Sequence, residues 1–214
     1  MMTRLYLVRH GCTASNRNRR YMGRSAEGLS NEGRWQARQL AQRLAAKDLV
    51  AIYSSPLRRT KETAQIVAQP HRLDVGVAAE FNELDLSRWE GLTAAEIEAR
   101  EPEAWDTWCA DPASLTLPGI EPFDRLRQRV RRGLEALTER HAGATVAVVT
   151  HDGIIRIAVL EALGMSVRHY RAIAVSNTGM TVLDFAPERT YLRAHNDTGH
   201  LSDGLDAAPG PADR

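Results

Sequence analysis

Four consecutive apolar residues, Leu5-Tyr6-Leu7-Val8, run directly into Arg9-His10-Gly11. An apolar run this short, bounded by glycine, reads as a buried strand. Val50-Ala51-Ile52-Tyr53 and Thr145-Val146-Ala147-Val148-Val149-Thr150 have the same character, and helix-patterned sequence follows each. Buried strands alternating with helices specify an α/β domain. The expected architecture is a three-layer αβα sandwich on a mixed, mainly parallel sheet. In such sheets ligands bind beyond the carboxyl ends of the strands. The first strand delivers Arg9 and His10 to that edge. The second leads through Ser54-Ser55-Pro56 to Arg58, and the third ends at Thr150 before His151. Two arginines and two histidines therefore converge in this reading. Guanidinium forks suit phosphate oxygens, an imidazole can attack phosphorus, and helix starts at this edge add positive potential.

Between these strands, Ser30 caps an expected helix from Asn31 to about Ala46, with Ala37, Leu40, Ala41, Leu44 and Ala45 on its apolar face. A second helix runs from about Leu57 to Ala68 and stops before Pro70. Arg72 to Val77 reads as a third short strand, and 94–100 and 103–109 as short helices. Pro112, Pro118, Gly119 and Pro122 mark a long loop. Phe123, Leu126, Val130, Leu134 and Leu137 then form one stripe of a longer helix. Arg127, Arg129, Arg131 and Arg132 fall mostly off that stripe and read as a solvated face, offset by Glu121, Asp124, Glu135 and Glu139. Ile154 to Leu163 is expected to be a buried helix ended by Gly164, and 180–185 with 190–194 a hairpin turning at Pro187. Residues 1–201 read as one domain, and 202–214, rich in Gly, Ala, Pro and Asp, as a disordered tail.

Composition narrows the partners. A formal net charge of +1 argues against a general nucleic-acid or membrane surface. No stretch has the apolar length to span a bilayer, and Met1-Met2-Thr3-Arg4 lacks a signal peptide's apolar segment, so the expected compartment is the cytoplasm. Two cysteines, Cys12 and Cys109, make neither a disulfide framework nor a metal cluster. No cofactor is called for, and both a monomer and a homodimer remain open.

Five segments, in order, carry a family resemblance. They are Leu7 to Asn16 (LVRHGCTASN), Leu29 to Ala37 (LSNEGRWQA), Tyr53 to Ala64 (YSSPLRRTKETA), Asn82 to Gly91 (NELDLSRWEG) and Val149 to Gly153 (VTHDG). Through them the chain resembles the histidine phosphatase superfamily, the phosphoglycerate mutase-like branch that includes small-molecule phosphatases. The resemblance implies that His10 forms a phosphohistidine intermediate without a metal. It further implies that Arg9, Arg58 and His151 bind the nonbridging oxygens with Asn16 as a further donor, and that Glu83 is the acid. Asp85 and Glu90 compete for the acid's role, and the family pattern, through the spacing to Trp89-Glu90-Gly91, implies Glu83. Asn177 and Thr178 fall near a position that approaches the pocket in this family. The expected partner is a small phosphorylated metabolite.

The chain departs from the family pattern at the rim. Cys12 stands where Glu or Gln is common and reads as a small neutral residue rather than a redox-sensitive thiol. Met22 stands where Gln is common, and Ile120-Glu121-Pro122 replaces a Gly-Glu-Ser pattern. Arg20, Tyr21, Met22, Arg24, Trp105 and Trp108 are the candidate rim residues. Glu83 is followed by Leu84-Asp85-Leu86-Ser87 rather than the Arg-His-Tyr-like stretch of the mutases, and the middle segment is short, which favours a hydrolase. The alternatives are a cofactor-dependent phosphoglycerate mutase and a catalytically silent phospholigand- or protein-binding module.

Overall fold

The computed structural model describes residues 1–201; the expected disordered tail, 202–214, lies outside the described residues. Among the described residues the strands are β1 (Thr3–Arg9), β2 (Leu49–Ser54), β3 (Val75–Val77), β4 (Thr145–Thr150), β5 (Met180–Phe185) and β6 (Thr190–Asp197). They form one sheet in the order β3-β2-β4-β1-β5-β6. β3, β2, β4 and β1 run parallel, and β5 and β6 add an antiparallel edge. The helices are α1 (Ala14–Arg17), α2 (Asn31–Leu44), α3 (Arg58–Ala68), α4 (Ala94–Arg100), α5 (Pro102–Ala110), α6 (Phe123–Arg140) and α7 (Asp152–Ala162). The expected mixed sheet between helical layers is the observed one.

Strand alternation divides the core in two. Leu5 and Leu7 of β1 and Val146 and Val148 of β4 face α6, α7 and an aromatic cluster that includes Trp89, Trp105 and Trp108. Tyr6, Val8, Ala147 and Val149 face Leu40 and Leu44 of α2 and Ala64 and Val67 of α3. All four central-strand residues of each set are buried, which is why β1 and β4 read as unbroken apolar runs.

Several local signals act as the sequence suggests. Ser30 accepts from the Gly33 amide and starts α2. Gly164, in the left-handed region at φ 63°, closes α7 with two backbone bonds, Gly164 N–H to Glu161 and Met165 N–H to Leu160. Other details differ. The third strand is only Val75–Val77, because a 3₁₀ turn at Gln69–His71 precedes it and Arg72 sits at φ 56°. α1 was not expected; a capping box between Thr13 and Asn16 holds its single turn. Trp105 and Trp108, expected at the rim, are 2% and 3% exposed and belong to the core. No helix of the described residues is long and apolar enough to cross a membrane.

Candidate active site

The sheet register assembles the site. Arg9 pairs with Thr150, and Ser54 with Val149, so the residues one step beyond, His10, Ser55 and His151, lie at one level. His10 donates its amide to Thr150 and Ser55 donates its amide to Val149. The His10 and His151 rings meet edge to face at 5.3 Å between centroids. Two glycines permit the turn after β1. A Cβ on Gly11 would strike the Gly33 carbonyl, and one on Gly33 would strike the Cys12 backbone, so the first turn of α2 packs against the loop that carries His10.

The His10 imidazole is 3% exposed. Its Nδ1 lies 2.8 Å from the Gly11 carbonyl, which assigns the proton to Nδ1 and leaves the lone pair on Nε2. Burial, then the Arg59 and Arg9 charges, push its pKa well below the usual histidine value, so the ring is neutral at physiological pH. Arg59 Nε donates to Nε2 at 3.2 Å. Arg59 is 1% exposed, and its other nitrogens donate to the Gly23 and Ser25 carbonyls at 2.8 and 2.9 Å. Burial pulls it down to about 10, still a cation at neutral pH.

Arg58, the expected phosphate ligand, is not in this cluster. Its side chain is 68% exposed and pairs with Glu62 at 2.7 Å, and it lines a surface cavity of about 500 Å³ with Arg24 and Lys61. The neighbouring Arg59 takes the inward place because it shares a helix face with Thr63, one turn on, whose hydroxyl accepts from the Gly11 amide. The helical period held the signal: Arg59 is four and eight residues before Thr63 and Val67, both buried.

The structure brings Arg9, His151, Asn16 and Glu83 to His10. Arg9 anchors one nitrogen on the Val175 carbonyl at 2.6 Å, and its buried Nε has no protein partner. His151 Nε2 lies 2.6 Å from the Ser55 hydroxyl, which also meets Thr60 Oγ1 at 2.8 Å; its buried Nδ1 is likewise unpartnered. Burial, with Arg59, keeps His151 neutral. Asn177 Nδ2 donates to the His10 carbonyl at 2.9 Å and to Asn16 Oδ1 at 3.2 Å, tying Asn16 to the loop that carries His10. Thr178, at φ 54°, donates its amide to the Arg9 carbonyl. Ser55 lies in the Tyr53 to Ala64 segment, but nothing in that segment marks its hydroxyl as the partner of His151.

Glu83 Oε2 is 4.0 Å from His151 Nδ1, while Oε1 accepts the Leu84 amide at 2.8 Å. Burial, reinforced by the Asp152 charge, raises Glu83 to about 7 against the opposing pull of Arg59. Asp152 is held by Arg156. Asp85 instead faces Arg24, and Glu90 is exposed. Of the expected rim, Met22 is buried with its sulfur accepting from Thr13 Oγ1 and Asn16 Nδ2, and Arg24 donates to the Glu83 carbonyl at 3.0 Å. Arg20 turns away to the Gly91 carbonyl and Glu96, and the Tyr21 hydroxyl accepts from Trp108 within the aromatic cluster. Cys12 is 6% exposed and burial pushes its thiol up, which keeps it protonated. Among the described residues no group of three His, Cys, Asp or Glu side chains is placed to hold a metal.

Comparison with known proteins shows the family and the fold. A family model described as the histidine phosphatase superfamily (branch 1) matches residues 5–198. A protein of Mycobacterium tuberculosis named as bifunctional is 38% identical over 201 residues, 93% of this chain. The chain spans about half of that relative, 55% of its length. Phosphoserine phosphatase 1 of Hydrogenobacter thermophilus is 32% identical over 202 residues, covering 94% of this chain and 96% of that protein. The crystal structure of a phosphoserine phosphatase mutant from Entamoeba histolytica in complex with phosphoserine superimposes with a TM-score of 0.85 at 26% identity, over 93% of this chain and 99% of that one.

Proposed function

Because the chain belongs to branch 1 of the histidine phosphatase superfamily, we propose that it hydrolyses small phosphomonoesters through a phosphohistidine on His10, without a metal. The observation that carries this reading is the state of His10. It is a buried, neutral ring with Nδ1 committed to a backbone carbonyl and Nε2 facing a guanidinium. A neutral imidazole with a fixed lone pair is the form that attacks phosphorus.

In the first step Nε2 forms a bond to phosphorus while the bond to the leaving oxygen breaks. Charge on the three nonbridging oxygens is met by Arg9, by Arg59 in the role expected of Arg58, and by His151. Two atoms support this assignment: Arg9 Nε and His151 Nδ1 are buried at the site with no protein partner. When Ser55 donates to His151 Nε2, the proton sits on Nδ1 and the ring is a donor to phosphate. Asn16 supplies a further amide donor. Glu83, neutral below about 7, gives its proton to the leaving oxygen. In the second step the resulting carboxylate takes a proton from water as that water attacks phosphorus, the N–P bond breaks, and phosphate leaves with Glu83 reprotonated. Two arginines provide the positive charge that a metal supplies elsewhere. A substrate the size of a phosphorylated metabolite suits a nucleophile that is only 3% exposed.

The test is hydrolysis of p-nitrophenyl phosphate in excess EDTA by wild type and His10→Ala, with acid- and base-quenched samples of labelled protein. Turnover that resists EDTA, disappears in His10→Ala and passes through a base-stable, acid-labile protein phosphate is the expected result. EDTA-sensitive turnover overturns metal independence. Turnover retained in His10→Ala overturns the nucleophile, and no turnover in either protein overturns the hydrolase reading.

A further inference from the structure

We infer that Arg129 and Glu121 clamp the backbone that carries Glu83, and so act as positioning residues for the acid; this rests on the hydrolase reading above. Glu83 lies on a stretch between the 3₁₀ turn at Ala79–Phe81 and Leu86 that has no strand or α-helix of its own. Carbonyls in such a stretch need partners from outside it. Arg129, projecting from α6, supplies them. Its Nη1 donates to the Glu80 and Asn82 carbonyls at 2.8 and 2.6 Å, and its Nη2 to the Glu83 carbonyl at 3.1 Å. The same guanidinium grips Glu121 bidentately, Nε to Oε1 and Nη2 to Oε2, both at 2.8 Å.

Glu121 holds the other side. Its amide donates to the Asp85 carbonyl at 2.9 Å, and its Oε2 accepts the Asp85 amide at 3.3 Å and Arg24 at 3.2 Å. Arg24 in turn donates to the Glu83 carbonyl. The backbone polar groups of Glu80, Asn82, Glu83 and Asp85 are thereby tied to one ion-pair network whose side chains are 11% exposed at Arg129 and 6% at Glu121. Arg24 and Arg129 are matched by Glu121 and Asp85. Burial works against ionising Glu121, and Arg129 overrides it, holding the carboxyl below its usual range. None of these contacts touches the Glu83 carboxyl, which is free to exchange a proton. A general acid works only within hydrogen-bond reach of the atom it protonates, and a site supported loosely loses that reach. The face expected to be solvated thus contains one arginine turned inward for a purpose its neighbours do not share: Arg127 and Arg131 pair with Glu161 on α7.

The test separates placement of the acid from folding and from phosphate binding. Wild type, Arg129→Lys, Arg129→Met, Glu121→Gln, Glu83→Gln and the Arg129→Met/Glu83→Gln double variant are compared in single-turnover phosphorylation by p-nitrophenyl phosphate and by glycerol 2-phosphate, a poor leaving group. Arg129→Met is expected to slow phosphorylation by glycerol 2-phosphate on the order of a hundredfold, within the range of general acid catalysis. Its nitrophenol burst rate should stay within about threefold, since that leaving group needs little protonation. Glu121→Gln and Arg129→Lys should fall between. In the Glu83→Gln background the Arg129 substitution should cost nothing further, because both act through one group. Equal losses on the two substrates, or losses that multiply in the double variant, overturn the clamp. If Arg129→Met does not fold, Arg129→Lys and Glu121→Gln carry the same comparison. Wild type that forms no phosphohistidine would overturn the hydrolase reading instead.

Discussion

At the scale of single residues, the raised pKa of Glu83 sets a pH dependence. Its pKa in the fold is about 7, against an unfolded value of roughly 4.3. In its proposed role as the acid it must be protonated, so kcat/KM for an alkyl phosphate should fall tenfold per pH unit above about 7, a limb that Glu83→Gln lacks. The linkage runs the same way. The folded state binds the extra proton between the two values, so stability is fully present below about 4.3 and declines as pH rises towards 7. The shift corresponds to at most a few kcal/mol. Glu83→Gln should therefore have a higher Tm than wild type at pH 8 and an equal one at pH 4. Thermal scans at the two pH values check this; a variant no more stable at pH 8 would mean that Glu83 is not under strain in the fold.

At the scale of the element, α3 decides which of two adjacent arginines faces His10. Thr60, Thr63, Ala64 and Val67 are buried against the sheet, and Arg59 lies on their side while Arg58 lies with Glu62. A step of one residue turns a helix by about 100°, enough to move a guanidinium from solvent to the His10 ring. Arg59→Ala should lower kcat/KM for p-nitrophenyl phosphate by about a hundredfold or more, the scale seen when a charge-stabilising donor is removed. Arg58→Ala should stay within about threefold. Steady-state kinetics on both variants, with circular dichroism to show that Arg59→Ala is folded, separate the two; the reverse order would return the phosphate role to Arg58.

At the scale of the whole molecule, the candidate site and a buried ion-pair cross-link sit at opposite ends of β1. His10 follows its carboxyl end, whereas Arg4 near its start meets Asp184 on β5, which Arg193 on β6 also binds, both at 2.7–2.8 Å. One fully buried carboxylate thus cross-links the three strands of the antiparallel edge. The Arg4 hydrogen bond, against burial, lowers the Asp184 pKa. Its contribution is present above the unfolded value and lost as pH falls through the depressed folded one. Arg4 and Arg193 are 38% and 49% exposed, so solvent discounts the pair. Asp184→Ala should cost about 1–3 kcal/mol, seen as a Tm lower by several degrees at pH 7, with kcat unchanged at 25 °C. An unchanged Tm would show that hydrophobic pairing alone holds the edge.

Much of this protein was legible in the order of its residues. Leu5 to Val8 and Thr145 to Thr150 announce central strands because burial on both faces leaves no polar alternation, and Arg9, His10 and His151 follow from where those strands end. Covalent order also places Glu83 after the third strand. What only tertiary structure decided concerns direction and distance. Arg59 rather than Arg58 faces inward because α3 packs by its Thr63–Val67 stripe. Trp105 and Trp108 fill the core because Tyr21, Trp89 and Tyr170 surround them. Ser55 reaches His151 across 96 positions of sequence, and Arg129 reaches Glu83 across 46. Periodicity reports which side of an element is apolar; it carries no record of which polar group on a distant element meets it, because that contact exists only once the strands have taken their order in the sheet.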